Sequence, residues 1–250
     1  MGKLEEFIAI IKSEFPDDRL TYQKAVPTFH PENAEEAAQL VKLARKHCRQ
    51  LYVSGFCNNI DPVGEPFLNM VTISTDRLNG LEELAPMDFF VRAGSGYPLS
   101  EINRHLAEYD IFLPHSSLPY VGSVGGAIAI NLSAELDSHV LPIKRYLIQA
   151  QVVTPQGEII TPGSVCFKSV SGYDIVKIIA PSWGLLGLIV SATFRVLPVS
   201  IDGEYAEMKM QAIDRDNFLA GLDETSENSD VVYSRKIKSK FDPDGILPIV

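Results

Sequence analysis

Three glycines fall within five positions at Gly122-Ser123-Val124-Gly125-Gly126, directly before the apolar run Ala127-Ile128-Ala129-Ile130. Glycine loses more entropy on folding than any other residue, so this cluster implies that something approaches the main chain closely. Amides exposed beside the Ser123 hydroxyl suit a planar ring or a diphosphate, while tight packing of a helix on a sheet would account for the same residues. A second bend, Ser54-Gly55-Phe56-Cys57-Asn58-Asn59-Ile60, offers backbone N–H groups and two side-chain amides. That donor set can hold a pyrophosphate without a basic side chain, although Gly-x-x-Asn-Asn is also ordinary turn chemistry. A third block, Lys168-Ser169-Val170-Ser171-Gly172-Tyr173-Asp174, is followed by Gly184-Leu185-Leu186-Gly187-Leu188-Ile189 and reads locally as turn, short helix, turn and strand.

The elements that must position these bends follow from periodicity. Leu4, Phe7, Ile8 and Ile11 make one face of a first helix over residues 3–12, ended by Phe15-Pro16. Asn33 caps a second helix, with Glu36 at the capping-box position and Ala37, Leu40, Val41 and Ala44 as its stripe. This helix leads into the strand Leu51-Tyr52-Val53, placing the Ser54 bend at a strand's carboxyl end, where open α/β sheets bind ligands. Residues 70–74 and 88–93 read as strands, and a helix with Leu99, Ile102 and Leu106 on its buried face follows Pro98. Residues 146–153 and 158–160 form a hairpin around Thr154-Pro155-Gln156-Gly157. Residues 188–196 alternate, with Val190, Ala192, Phe194 and Val196 on one face and Ser191, Thr193 and Arg195 on the other. Residues 203–232 are rich in Glu, Asp, Asn and Ser, and residues 236–248 read as a helix end followed by an Asp-Pro and Gly turn.

Composition narrows the class. The chain has 250 residues, 46% of them hydrophobic, and a net charge of -10, which argues against nucleic acid as a partner. No signal peptide or long apolar span is legible, so the expectation is a cytoplasmic protein without a transmembrane segment, able to lie at the periphery of a membrane complex. Three cysteines, Cys48, Cys57 and Cys166, lack CxxC spacing and suit a reducing compartment, and no metal site is indicated.

Over residues 26–198 these blocks, in this order and spacing, resemble the FAD-linked oxidase family, the vanillyl-alcohol oxidase and p-cresol methylhydroxylase superfamily. They are especially similar to the smaller flavin subunit of glycolate oxidase. The resemblance implies an α+β, two-subdomain FAD-binding fold of the p-cresol methylhydroxylase type, with one subdomain over about residues 1–78 and the other over 79–200. Residues 201–250 would be a vestigial cap and C-terminal segment, because only about forty residues separate Pro198 from the family-like Phe241-Asp242-Pro243-Asp244-Gly245-Ile246-Leu247. The implied FAD contacts are Ser54, Gly55, Phe56, Cys57, Asn58, Asn59 and Ile60 in the pyrophosphate loop and Pro119, Gly122, Ser123, Val124, Gly125, Gly126, Asn131 and Ser133 around the Gly-Gly loop. Gly172, Tyr173, Asp174, Gly187, Ile189 and Val190 complete the implied set. Cys57 stands where the family's loop has glycine and Pro181 replaces a glycine before Ser182. The loop has no histidine for covalent attachment, so the FAD is expected to be non-covalent.

The implied function is that of an FAD-binding oxidoreductase subunit of a glycolate or D-lactate type 2-hydroxy-acid dehydrogenase, working beside a larger flavoprotein or an iron–sulfur subunit. One alternative is a non-catalytic relative serving assembly or regulation, and another is a compact enzyme acting alone. Among Arg92, Arg104, His105, His115, His139 and Arg145, the candidates for a substrate clamp or base, His115 lies best in sequence, and no catalytic residue is assigned.

Overall fold

A computed structural model of the chain describes residues 2–119, 121–136, 139–165, 175–199, 208–211, 213–223 and 225–250. The block Lys168–Asp174, including the candidates Gly172, Tyr173 and Asp174, lies outside the described residues, as does Cys166.

The N-terminal layer holds α1 (Lys3–Glu14), β1 (Leu20–Gln23), β2 (Val26–Phe29), α2 (Ala34–Lys46), β3 (Leu51–Ser54) and β4 (Val71–Ser74). Its sheet runs β1-β2-β4-β3, parallel for β2–β4 and β4–β3 and antiparallel for β1–β2. Asn33 caps α2 by accepting the Glu36 N–H at 2.8 Å, while the Glu36 carboxylate reaches back to the Glu32 N–H, one residue beyond a standard capping box. The α2 stripe of Ala37, Leu40, Val41 and Ala44 is buried beside Phe7, Phe29 and Leu51. Burying side chains such as Leu40 and Val41 stabilises by about 1.5–3 kcal/mol each.

The following elements are β5 (Leu81–Ala85), β6 (Phe90–Gly94), α3 (Ile102–Leu106), β7 (Ile111–Phe112), α4 (Val124–Ala129), β8 (Ser133–Leu136) and β9 (His139–Pro142). Then come β10 (Leu147–Val153), β11 (Ile159–Ile160), α5 (Ile175–Ile178), β12 (Leu188–Arg195), β13 (Leu197–Pro198), β14 (Lys209–Met210), α6 (Arg215–Ala220) and α7 (Ser229–Phe241). An antiparallel sheet β11-β10-β12-β6-β5 forms the second layer's core, with small sheets β13-β7 and β14-β8-β9 beside it. The architecture is therefore α+β, with a mixed α/β sheet beside a larger antiparallel one.

Two stretches singled out in the sequence take their setting here. Strand β12 is the middle strand of its sheet, and Ser191 and Thr193 are as buried as their apolar neighbours, so neither of its faces meets solvent. Its Leu188 and Val190 join the first core and Ala192 and Phe194 the second, so one strand spans both. The polar stretch after residue 203 also carries regular structure: β14 pairs with β8 through Lys209↔Glu135 and Met210↔Ala134, and two helices follow.

Candidate functional site

Strand β3 ends at Ser54, and the chain then turns through the bend of residues 55–60 toward the start of α4. The two bends touch. A Cβ placed on Gly55 would stand 2.5 Å from Ser123 Oγ, and one on Gly122 would stand 3.1 Å from Asn58 Nδ2. Between and beside them opens a cleft of about 240 Å³.

Of the glycines in the second bend, Gly125 is explained by neighbouring protein atoms, the packing alternative that the sequence left open. A Cβ on Gly125 would lie 2.8 Å from Ser95 Cβ, so this glycine lets α4 pack against the end of β6. The first amides of α4 are also engaged: Val124 N–H donates to Tyr97 O at 2.9 Å, Gly125 N–H to Ser95 O at 2.7 Å, and Gly126 N–H to the Ser123 hydroxyl at 3.2 Å. The open donors belong to the other bend. Among the described residues, the backbone N–H groups of residues 55–60 donate to no protein acceptor. A run of amides without protein acceptors, in a bend that lines the cleft, has the donor chemistry an anion would need.

Cys57 takes φ +59°, the left-handed conformation that glycine adopts freely, so the bend turns as a glycine would turn it. Its Sγ lies 3.1 Å from Ser54 Oγ, closing the bend on itself.

Of the sequence candidates, Ser54 through Ile60, Gly122, Ser123, Gly125, Gly126, Gly187 and Ile189 line the cleft. Five do not. Val124 and Val190 are buried in the two cores, Pro119 is exposed, Asn131 accepts the Lys144 N–H at 3.4 Å, and Ser133 donates to Asn131 O within β8. Residues that were not site candidates in the sequence also line it, among them Tyr52, Thr75, Trp183, Gly184, Met210 and Ile213. Tyr52 was detectable, since it lies two positions before Ser54 on a strand and shares its face. Thr75, another lining residue, follows β4, and its hydroxyl is buried without a partner. Burial pushes the Tyr52 phenol up to about 12, with the nearby Cys57 adding to the rise, so it stays protonated near neutrality.

The proposed acid–base and clamp residues lie elsewhere. His115 is fully buried; Nε2 donates to Leu141 O at 2.7 Å, and Tyr146 packs edge-on at 5.2 Å. Burial pulls its pKa down to about 4, so it is a neutral core residue and not a base at the cleft. Arg92 is held across the sheet by Glu83, Gln149 and Thr193, Arg104 pairs with Glu101, His105 meets the Tyr97 hydroxyl, and Arg145 reaches Val140 O. His139 lies exposed on β9. Among the described residues that line the cleft, the titratable ones are Tyr52 and Cys57. No group of three or more metal-ligating side chains occurs among the described residues, and no described helix is long and apolar enough to cross a membrane.

Comparison with known proteins is consistent across three levels. Residues 27–163 match the family described as FAD binding domain. The chain is 27% identical over 196 residues to the mitochondrial D-lactate dehydrogenase [cytochrome] of Arabidopsis thaliana, covering 72% of this chain and 34% of that protein. It is 25% identical over 122 residues to glycolate oxidase subunit GlcE of Escherichia coli, covering 48% of this chain and 35% of the relative. The chain thus spans about a third of the length of either relative. In architecture it is similar to p-cresol methylhydroxylase, with a TM-score of 0.61 at 13% identity, over 79% of this chain and 44% of that one. This likeness establishes the fold, that of the p-cresol methylhydroxylase type. The free amides at residues 55–60 and the orphaned Thr75 hydroxyl fit the diphosphate of FAD, an anion that needs donors and no counter-charge here.

Proposed function

Because the chain belongs to the FAD binding domain family and its cofactor is FAD, we propose that it is the FAD-holding subunit of a 2-hydroxy-acid dehydrogenase of the glycolate or D-lactate type. Residues 55–60 grip the diphosphate through main-chain N–H groups, Thr75 adds its hydroxyl, and the FAD is held without a covalent bond. Residues 1–200 form the flavin-holding unit in this reading, and residues 201–250 stand in for a larger substrate-covering region. When bound, FAD supplies the two-electron acceptor that oxidation of a hydroxy acid requires. The chain's own part is to bind and orient it.

The observation that carries the subunit reading is the chemistry of the lining. A hydroxy-acid site needs a cation for the carboxylate and a base for the hydroxyl proton. The described lining offers neither, with Tyr52 held protonated and Cys57 engaged with Ser54. The names D-lactate dehydrogenase and glycolate oxidase subunit among its relatives support the substrate class and a multi-chain assembly. A larger flavoprotein or iron–sulfur partner would then supply both groups. The same lining also favours a second reading, in which the subunit holds FAD for assembly or regulation and turns nothing over.

One experiment separates these. The purified chain is titrated with FAD while flavin fluorescence is followed, then denatured with acid and the supernatant examined. Saturable binding with all flavin released is the expected result, and absence of binding contradicts the assignment. The FAD-loaded chain is next given glycolate and D-lactate anaerobically, alone and with the complex in which it is found. Bleaching only in the complex supports the subunit role, bleaching of the isolated chain contradicts it, and bleaching in neither leaves the assembly reading.

A further inference from the structure

The C-terminal segment builds a clasp around one buried ion pair. Lys238, near the end of α7, directs its ammonium at three acceptors: Leu185 O at 2.9 Å, Leu247 O at 2.7 Å and Asp242 Oδ2 at 2.5 Å. The Lys238 side chain is 16% exposed and that of Asp242 is 0%. The Asp242 carboxylate also accepts the N–H groups of Ile246 and Leu247, both at 2.8 Å, folding the tail back on itself.

The partners belong to two segments that adjoin the cleft and touch each other, since a Cβ on Gly184 would meet Val53 Cβ at 3.4 Å. Leu185 sits within the turn that contributes Trp183, Gly184 and Gly187 to the lining, and its own N–H donates to Ser182 O. Toward the other segment, Ile246 O accepts the N–H of Leu51, the first residue of β3, whose far end becomes the bend of residues 55–60. Ile246 and Leu247 are buried in the same core as Leu51. One ammonium and one carboxylate thus connect the turn at Leu185 with the strand that carries the free amides. Buried ion pairs contribute little net stability, because desolvation offsets their attraction, so the clasp is better explained by what it aligns.

We propose that Lys238, through Asp242, is a positioning residue for FAD: it sets the separation between the β3 bend and the Trp183–Gly187 turn. This rests on the FAD reading above. A methionine at 238 would fill a similar volume and pack α7, yet it would leave Leu185 O and Leu247 O without this donor and Asp242 without its cation. The turn and the strand would then be held together by the Gly184–Val53 contact without this polar link.

The test measures FAD affinity by fluorescence quenching for the parent chain, Lys238→Met and the gentler Lys238→Gln, together with each protein's visible flavin spectrum and its unfolding midpoint without FAD. A role confined to stability lowers the midpoint and leaves the affinity of the folded protein unchanged. The expected result is an affinity at least tenfold weaker in folded Lys238→Met, with displaced flavin absorption bands and a smaller effect in Lys238→Gln. If Lys238→Met does not unfold cooperatively, Lys238→Gln decides by the same criteria. Parent-like affinity and spectrum in a folded variant overturn the clasp alone, whereas failure of the parent chain to bind FAD overturns the flavin reading and the clasp's role with it.

Discussion

Cys57 carries local backbone strain at the bend. At φ +59° its Cβ crowds the following carbonyl, a conformation that costs about 1–2 kcal/mol for a residue other than glycine. Glycine at this position removes that cost but adds unfolded-state entropy. Cys57→Gly is therefore expected to raise stability by roughly 0.5–1 kcal/mol, read as a higher urea midpoint; a lower midpoint would mean that the Ser54–Cys57 contact outweighs the strain. His115 presents the opposite case, a residue whose place in the chain suggests chemistry and whose burial removes it. Its folded pKa of about 4 lies below the unfolded value of about 6.5, so below that value the unfolded state binds more protons. Stability attributable to His115 is complete above pH 6.5 and falls as the pH drops toward 4. Between pH 7 and pH 5 the loss is expected to be about 2 kcal/mol, measured by urea unfolding, and Phe or Gln at position 115 is expected to remove that part of the slope. Sequence spacing could place His115 near the Gly-rich bend but could not show that its ring turns into the core toward Leu141.

The elements that were legible in the sequence are those whose signals are local. The α2 helix declares itself through Asn33 and its apolar stripe, and the β10–β11 hairpin through Thr154-Pro155-Gln156-Gly157, because caps and turns need no distant partner. The β8–β9–β14 sheet was not legible: Ser133–Leu136 pairs locally with His139–Pro142, but without a clear turn signal between them, and its other edge is completed by Lys209–Met210, more than seventy residues away. Helix α7 was seen only at its C-terminal end, since its buried contacts come through Lys238 and the tail and not through an apolar stripe. For the site, the bend of residues 55–60 could be recognised from Gly55 and the Asn58-Asn59 pair, whereas Trp183, Met210 and Ile213 enter the lining through tertiary folding alone. Gly125 tests the helix-on-sheet account directly. Gly125→Ala places a methyl 2.8 Å from Ser95 Cβ and should push α4 off the end of β6, costing about 1–3 kcal/mol by urea unfolding. A neutral substitution would show that α4 shifts freely and that the glycine answers some other demand.

Across the whole molecule, an acidic chain of net charge -10 has a cleft lined by a bend whose main-chain N–H groups have no protein acceptor. That division suits a dinucleotide, because the donors are fixed by the fold and need no long side chain to be immobilised. The FAD reading stands or falls with the bend of residues 55–60 holding the diphosphate. A crystal structure of the chain grown with FAD measures this most directly. The account predicts diphosphate oxygens within about 2.7–3.2 Å of at least two of those backbone nitrogens, with the bend touching Ser123 as described. Flavin density lying elsewhere, with the residues 55–60 amides turned to water, would contradict it.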